Sequence, residues 1–283
     1  VYEGGKMKIQ LAESYGFCFG VKRAIKIAEE NKNSATYGPL IHNANEIERL
    51  KRDFNVALSE NLDSFKPGDT AVIRTHGIPK QELELLHERN VDVIDATCPY
   101  VTKPQQICEE MSTQGYDILI FGDESHPEIK GVKSYATGRA YVVNSAEEVD
   151  GLTLREKVAV VAQTTRRIED YQKIVGKLMI SHKEVRVFNT ICNATFDNQD
   201  AVHKIAQEAD VMIVIGGKNS SNTKQLHSIA LDECPDSYHI ESADDLQSQW
   251  FSGKKFCGIS AGASTPDWII QAVIERIKHL SQP

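Results

Sequence analysis

Three of the six cysteines stand where the chain should turn from a strand into a helix. They lie in Gly16-Phe17-Cys18-Phe19-Gly20, Ala96-Thr97-Cys98-Pro99 and Thr190-Ile191-Cys192-Asn193. A helix N-terminus favours the thiolate, the form of cysteine that binds metal. Cys108, Cys234 and Cys257 fall inside a predicted helix, at a helix end and in a strand, and are expected to be small buried hydrophobes. No CxxC pair is present, which disfavours zinc ribbons and thioredoxin-type redox motifs, so a metal site must be assembled from distant parts of the chain. Three thiolates with no obvious fourth ligand imply a metal with an open coordination position. Zinc and an iron–sulfur cluster with one iron left for substrate both satisfy that, and spacing alone does not choose between them.

Polar runs at other strand ends suggest an anion as the ligand. Asn219-Ser220-Ser221-Asn222, Thr164-Thr165 and Ser260-Ala261-Gly262-Ala263-Ser264 offer hydroxyl, amide and backbone donors at predicted helix starts, a common way to hold phosphate. The Gly216-Gly217-Lys218 run lacks the GxxxxGK[ST] spacing of a P-loop, so nucleoside triphosphate hydrolysis is not supported. Taken singly, each run could be a turn or a helix cap. His42, His76 and His126 each follow a predicted strand, and a neighbouring anion would favour their imidazolium forms. Glu128, two residues beyond His126, is the best-placed carboxylate for proton transfer.

The elements that must position these residues repeat. Short apolar β-type runs are expected at 8–12, 36–40, 71–75, 92–95, 117–121, 140–143, 158–162, 184–188, 211–215, 237–240 and 255–259. Helical patterns alternate with them at 21–31, 44–52, 80–88, 102–113, 128–136, 168–180, 197–208, 223–232 and 265–280, the signature of a parallel α/β architecture. The order after Cys98 returns after Cys192, and the first part of the chain follows it too. The expectation is three pseudo-symmetric α/β units with mainly parallel sheets, spanning 19–98, 99–192 and 193–283. The third lacks its closing strand, which an N-terminal strand within 7–18 would supply. Eighty residues separate Cys18 from Cys98 and 94 separate Cys98 from Cys192, in keeping with the repeat. Ligands bind outside the carboxyl ends of parallel strands. If the units face one another, the polar clusters and the cysteines converge on a shared centre.

Composition bounds the rest. With 283 residues, 41% hydrophobic and 25% charged, the chain is an ordinary globular one with material for about two domains at roughly 150 residues each. No apolar run approaches the ~20 residues of a membrane span, and no signal-peptide pattern is present, so a cytoplasmic location is expected, without a membrane partner. A net charge of −8 with no basic stripe argues against nucleic acid as a partner. Val1 to Lys6 precede Met7, a natural-looking start, and are expected to lie outside the fold.

The motifs Gly16-Phe17-Cys18-Phe19-Gly20-Val21, Asp95-Ala96-Thr97-Cys98-Pro99, His126-Pro127-Glu128, Gln163-Thr164-Thr165, Lys218-Asn219-Ser220-Ser221-Asn222 and Ala261-Gly262-Ala263-Ser264 closely resemble the 4-hydroxy-3-methylbut-2-enyl diphosphate reductase (IspH/LytB) family of the non-mevalonate isoprenoid pathway. The resemblance runs from Met7 to about Leu280, with every motif in order. It implies three α/β units around one central 4Fe-4S cluster, held by Cys18, Cys98 and Cys192, with the fourth iron open to the substrate hydroxyl. It implies that His42, His76, His126, Ser220, Asn222 and Ser264 hold the diphosphate, with Ser221 and Thr165 nearby. Thr164 and Glu128 match the pair near the substrate hydroxyl, and Glu128 serves the proton relay. The implied reaction is reductive dehydroxylation to isopentenyl and dimethylallyl diphosphate, consuming two electrons and two protons. A ferredoxin or flavodoxin is the implied electron donor. The rival readings are a zinc hydrolase with Glu128 as base, and a non-catalytic sensor of a diphosphate ligand.

Overall fold

A computed structural model describes residues 2–4 and 7–281. Three sheets organise the chain, and their four parallel strands follow one order. The second sheet runs Glu184–Val187, Lys157–Ala162, Asp117–Phe121, Ala140–Val143, all parallel. The first runs Asp92–Asp95, Thr70–Ile73, Ala35–Tyr37, Ala57–Ser59, again all parallel. The third runs Met7–Leu11, Phe256–Ala261, Val211–Ile215, Ser237–Ile240. In each, the first and third strands of the repeat are neighbours. The chain therefore reverses its winding between them, and this is the switch point at which open α/β sheets present ligand-binding loops. In the third sheet the closing strand comes from Met7–Leu11, which pairs with Phe256–Ala261.

The strands form where apolar residues run continuously rather than alternately, because helices cover both faces of a parallel sheet. Val211–Ile215 and Asp117–Phe121 are buried along their whole length. The helices are amphipathic. Ile269, Ile270, Val273, Ile274 and Ile277 of helix Asp267–Leu280 recur at helical spacing and pack on the third sheet with Ile213, Ile215 and Ile259.

The three sheets fall into two compact units. One comprises Val1–Val21, His42–Glu46 and Asn193–Pro283 and carries the third sheet; the other comprises Lys22–Ile41 and Ile47–Cys192 and carries the first and second. Among the described residues no helix is long and apolar enough to cross a membrane.

Several expectations need correction. Tyr2–Gly4, set outside the fold on sequence grounds, pairs antiparallel with Met7–Ile9 and extends the third sheet; Val1, Gly5 and Lys6 lie outside the described residues. The edge strand Ala57–Ser59 was not expected: it is three residues long and mostly exposed, so it has neither the length nor the alternation that marks a strand. Helices Pro99–Thr113 and Asn193–Ala206 begin directly after Cys98 and Cys192, several residues earlier than their apolar patterns indicate.

Candidate active site

Each of the three turn cysteines is built in the same way. Helix Phe19–Glu30 starts one residue after Cys18, Pro99–Thr113 one after Cys98, and Asn193–Ala206 one after Cys192. The Cys18 N–H donates to the Ala263 carbonyl at 3.3 Å, that of Cys98 to Thr75 at 3.0 Å, and that of Cys192 to Thr164 at 3.1 Å. In all three cases the acceptor lies just past the end of the third strand of a sheet. The residues that follow these acceptors are Ser264, His76 and Thr165. One backbone device thus sets a cysteine beside an expected ligand-binding residue three times over.

Before Cys18 the chain needs a left-handed turn, and Gly16 supplies it with φ +69° while its N–H donates to the Ala261 carbonyl at 3.0 Å. Cys98 caps its helix in an extended conformation, and Pro99 occupies the first helical position, where a missing N–H costs nothing. All three cysteines are half-buried, whereas Cys108, Cys234 and Cys257 are buried. Burial pushes the Cys108 thiol up to about 12 and the Cys257 thiol up as well, so neither is a ready thiolate at neutral pH.

The second sheet carries an acid–hydroxyl pair at its switch point. Glu128 lies in the first turn of helix Pro127–Ser134, after the first strand of this sheet, and Thr164 follows the third. The Thr164 N–H donates to Glu128 Oε1 at 2.7 Å and the Thr164 hydroxyl donates to Oε2 at 2.8 Å. Only 2% of Glu128 is exposed. Burial pushes its carboxyl above the usual carboxylate range, against the opposing pull of the two Thr164 donors and of the Arg166 guanidinium. The loops are tied further by Gln163, whose Oε1 accepts the Asp123 N–H at 3.0 Å.

His126 caps the same helix. Its Nδ1 accepts the Glu128 N–H at 3.2 Å, which leaves the ring proton on Nε2. His126 Nε2 can therefore donate to an anion without being charged. His76 packs edge-on against His126 with ring centroids 5.4 Å apart.

The third sheet repeats the plan with donors in place of the acid. Ser220 caps helix Ser221–Glu233, its Oγ accepting the Thr223 N–H at 3.2 Å, which leaves the hydroxyl proton available to donate. Asn222, 6% exposed, holds a buried Nδ2 without a hydrogen-bond partner. Ser264, after the third strand, is buried and donates to the His42 carbonyl at 3.3 Å. His42 is half-buried, as are Ser221 and Thr165. An N–H donor left unpaired in the interior is costly unless something accepts from it. Asn222, Ser220 and the N-terminus of the helix together suit an anionic oxygen.

The sequence reading stopped at Thr165 and missed Arg166. Its guanidinium lies over the Phe121 ring, with Cζ 5.1 Å from the centroid, and it interacts electrostatically with Asp123 and Glu128. The signal was present in the Thr164-Thr165-Arg166-Arg167 run, but nothing local distinguishes Arg166 from Arg167.

The model of the family described as LytB protein matches residues 9–278. A curated 4-hydroxy-3-methylbut-2-enyl diphosphate reductase of Sulfurimonas denitrificans is 69% identical over 96% of this chain and 99% of its own length. The Nitratiruptor protein of the same description is 66% identical over 97% and 99%. Among solved structures, an (E)-4-hydroxy-3-methyl-but-2-enyl diphosphate reductase, described as the terminal enzyme of the non-mevalonate pathway, is 46% identical with a TM-score of 0.70, covering 96% of this chain and 99% of that one. The E-1-hydroxy-2-methyl-but-2-enyl-4-diphosphate reductase of Plasmodium falciparum is 28% identical with a TM-score of 0.90, over 99% and 89%. A match to the family model across nearly the whole chain, with relatives this similar end to end, leaves one conclusion: the chain belongs to the LytB protein family, a family of reductases.

Proposed function

We propose that the protein reduces 4-hydroxy-3-methylbut-2-enyl diphosphate to isopentenyl and dimethylallyl diphosphate, with two electrons and two protons entering and water leaving. The observation that carries this reading is the cysteine turn built three times, each time half-exposed at a helix start. Cys18, Cys98 and Cys192 are the residues that would hold one 4Fe-4S cluster, leaving one iron without a protein ligand. Three sulfur donors in electropositive turns fit that group, and the three buried cysteines do not. When bound, such a cluster supplies electrons and a Lewis acid for the departing hydroxyl. A ferredoxin or flavodoxin is the proposed electron donor.

The chain's own residues do the rest. His126 Nε2, the Ser220 hydroxyl and Asn222 Nδ2 donate to the diphosphate oxygens, joined by His42, His76, Thr165, Ser221 and Ser264. Glu128 stores a proton, because burial favours its neutral form. Once protonated, its carboxyl donates to Thr164 Oγ1, which reverses the bond seen here at 2.8 Å and turns the Thr164 proton outward. Thr164 then delivers that proton to the substrate oxygen, and Glu128 reloads it. The backbone bond from the Thr164 N–H to Oε1 persists through both states and keeps the pair aligned.

The test is iron, sulfide and zinc content with an absorption spectrum on protein purified without oxygen. Near-equal iron and sulfide in a brown sample bleached by dithionite is the expected result. A colourless sample with one zinc would overturn the reading in favour of a hydrolase. Changing Cys18, Cys98 or Cys192 to Ser should abolish cluster and activity alike, whereas Cys108→Ser should retain both. Equal damage from all four would remove the ligand assignment.

A further inference from the structure

Arg166 follows Thr164 by two residues and interacts electrostatically with Glu128. Its N–H donates to the Gln163 carbonyl at 3.2 Å, closing the turn that contains Thr164, so the donor of both Glu128 hydrogen bonds and the guanidinium belong to one rigid loop. The side chain is held on two sides. Nη2 donates to Asn144 Oδ1 at 2.6 Å, and the guanidinium lies over the Phe121 face at 5.1 Å. That hydrogen-bond partner is a neutral amide rather than a carboxylate, and Arg166 Nε is buried without a hydrogen-bond partner. A guanidinium does not lose its proton, so this is a fixed positive charge on a half-buried side chain whose Nε is shut off from water.

We infer that Arg166 is a positioning residue for proton transfer: clamped by Phe121 and Asn144, its guanidinium supplies the field that lets the buried Glu128 carboxyl give up its proton to Thr164. This inference rests on the proton-relay reading of Glu128. The two Thr164 donors and the Arg166 charge oppose the effect of burial together, and without the charge the carboxyl would hold its proton to a higher pH. The other titratable groups around Glu128 are His126 at the start of its own helix and His76 packed against His126. Asp123 interacts with both His126 and Arg166, while Asp170, paired with Lys173, and Glu148, which accepts the Asn144 N–H, also interact with Arg166. Of the neighbouring charges, that of Arg166 is the one that pulls on the Glu128 carboxyl.

The experiment follows the Glu128 carboxyl directly in the holoenzyme without substrate, by infrared difference spectroscopy. The carbonyl-stretch band of the protonated acid is assigned by its loss in Glu128→Gln and titrated with pH. In Arg166→Gln the band should persist to a pH about one pH unit higher, the usual scale for loss of a neighbouring charge. The alkaline limb of the kcat profile should move up with it, while KM changes little. Arg166→Lys, which restores the charge, should return both towards the native values. Asn144→Ala, which only loosens the clamp, should give a smaller shift in the same direction and serves if Arg166→Gln fails to fold. A band that does not move in Arg166→Gln, or moves equally in Arg166→Lys, overturns the inference. The two readings separate because the band reports the coupling and Glu128→Gln turnover reports the relay: normal turnover in Glu128→Gln would sink the relay and the role inferred here together, whereas an immobile band with a dead Glu128→Gln sinks only the role of Arg166.

Discussion

The second and third sheets use one strand order and one switch point, yet they arrive at opposite hydrogen-bonding states. After the second sheet, Glu128 is an acceptor supplied twice by Thr164, and burial raises its affinity for a proton. After the third, Asn222 keeps a buried donor with nothing to give it to, and Ser220 keeps a hydroxyl proton. The Glu128–Thr164 pair satisfies itself, whereas the Asn222 amide is left unsatisfied. Geometry at a switch point therefore sets where a ligand can sit, while the residue types there decide whether it offers an acid–hydroxyl pair or free donors.

The most severe way to break this contrast is Glu128→Gln. The amide carbonyl can still accept from Thr164, but the group cannot carry a proton, so kcat should fall ~10²-fold or more while KM barely changes. A rise in KM instead would assign Glu128 to binding and erase the distinction. Next in size is Asn222→Ala. A hydrogen bond to a charged group contributes about 1.5–3 kcal/mol, so KM should rise roughly 10- to 100-fold with kcat less affected. The same variant should melt no earlier than the native protein in the absence of substrate, because it removes an amide that the fold leaves unpaired. Ser220→Ala sharpens the point: it should also raise KM, but it should lower stability by about 1 kcal/mol through loss of the helix cap, measurable by denaturant titration.

The smallest effect is a pH-dependent one. The folded-state value of Glu128 lies above its unfolded value, so its contribution favours the fold fully below the ordinary glutamate range near pH ~4.5 and is lost as pH rises through the raised folded value. Glu128→Gln, neutral at every pH, should therefore gain Tm relative to the native protein at about pH 8 and gain less at about pH 5. A constant difference across that range would mean that burial does not disfavour the Glu128 charge.

Much of the fold is legible in the sequence because its cues are local. The buried run Val211–Ile215 and the helical spacing in Asp267–Leu280 each declare their state within a few residues. The Gly-Phe-Cys-Phe-Gly turn marks a helix start by turn chemistry alone. Strand Ala57–Ser59 was silent because an exposed three-residue edge carries no burial pattern, and the early start of Pro99–Thr113 was hidden because capping, not periodicity, sets it.

The site divides along the same line. The sequence by itself determined which residue types recur at strand ends, and the threefold spacing singled out Cys18, Cys98 and Cys192 from Cys108, Cys234 and Cys257. Tertiary structure alone decided that Thr164 closes on Glu128, 36 positions away, that His126 accepts through Nδ1, that Asn222 Nδ2 is unpartnered, and that the Arg166 charge acts on the acid. The reason is physical. A turn or a cap is settled by energies between neighbours in the chain, whereas partnership and protonation depend on which strand ends the sheet order brings together and how much water it leaves between them.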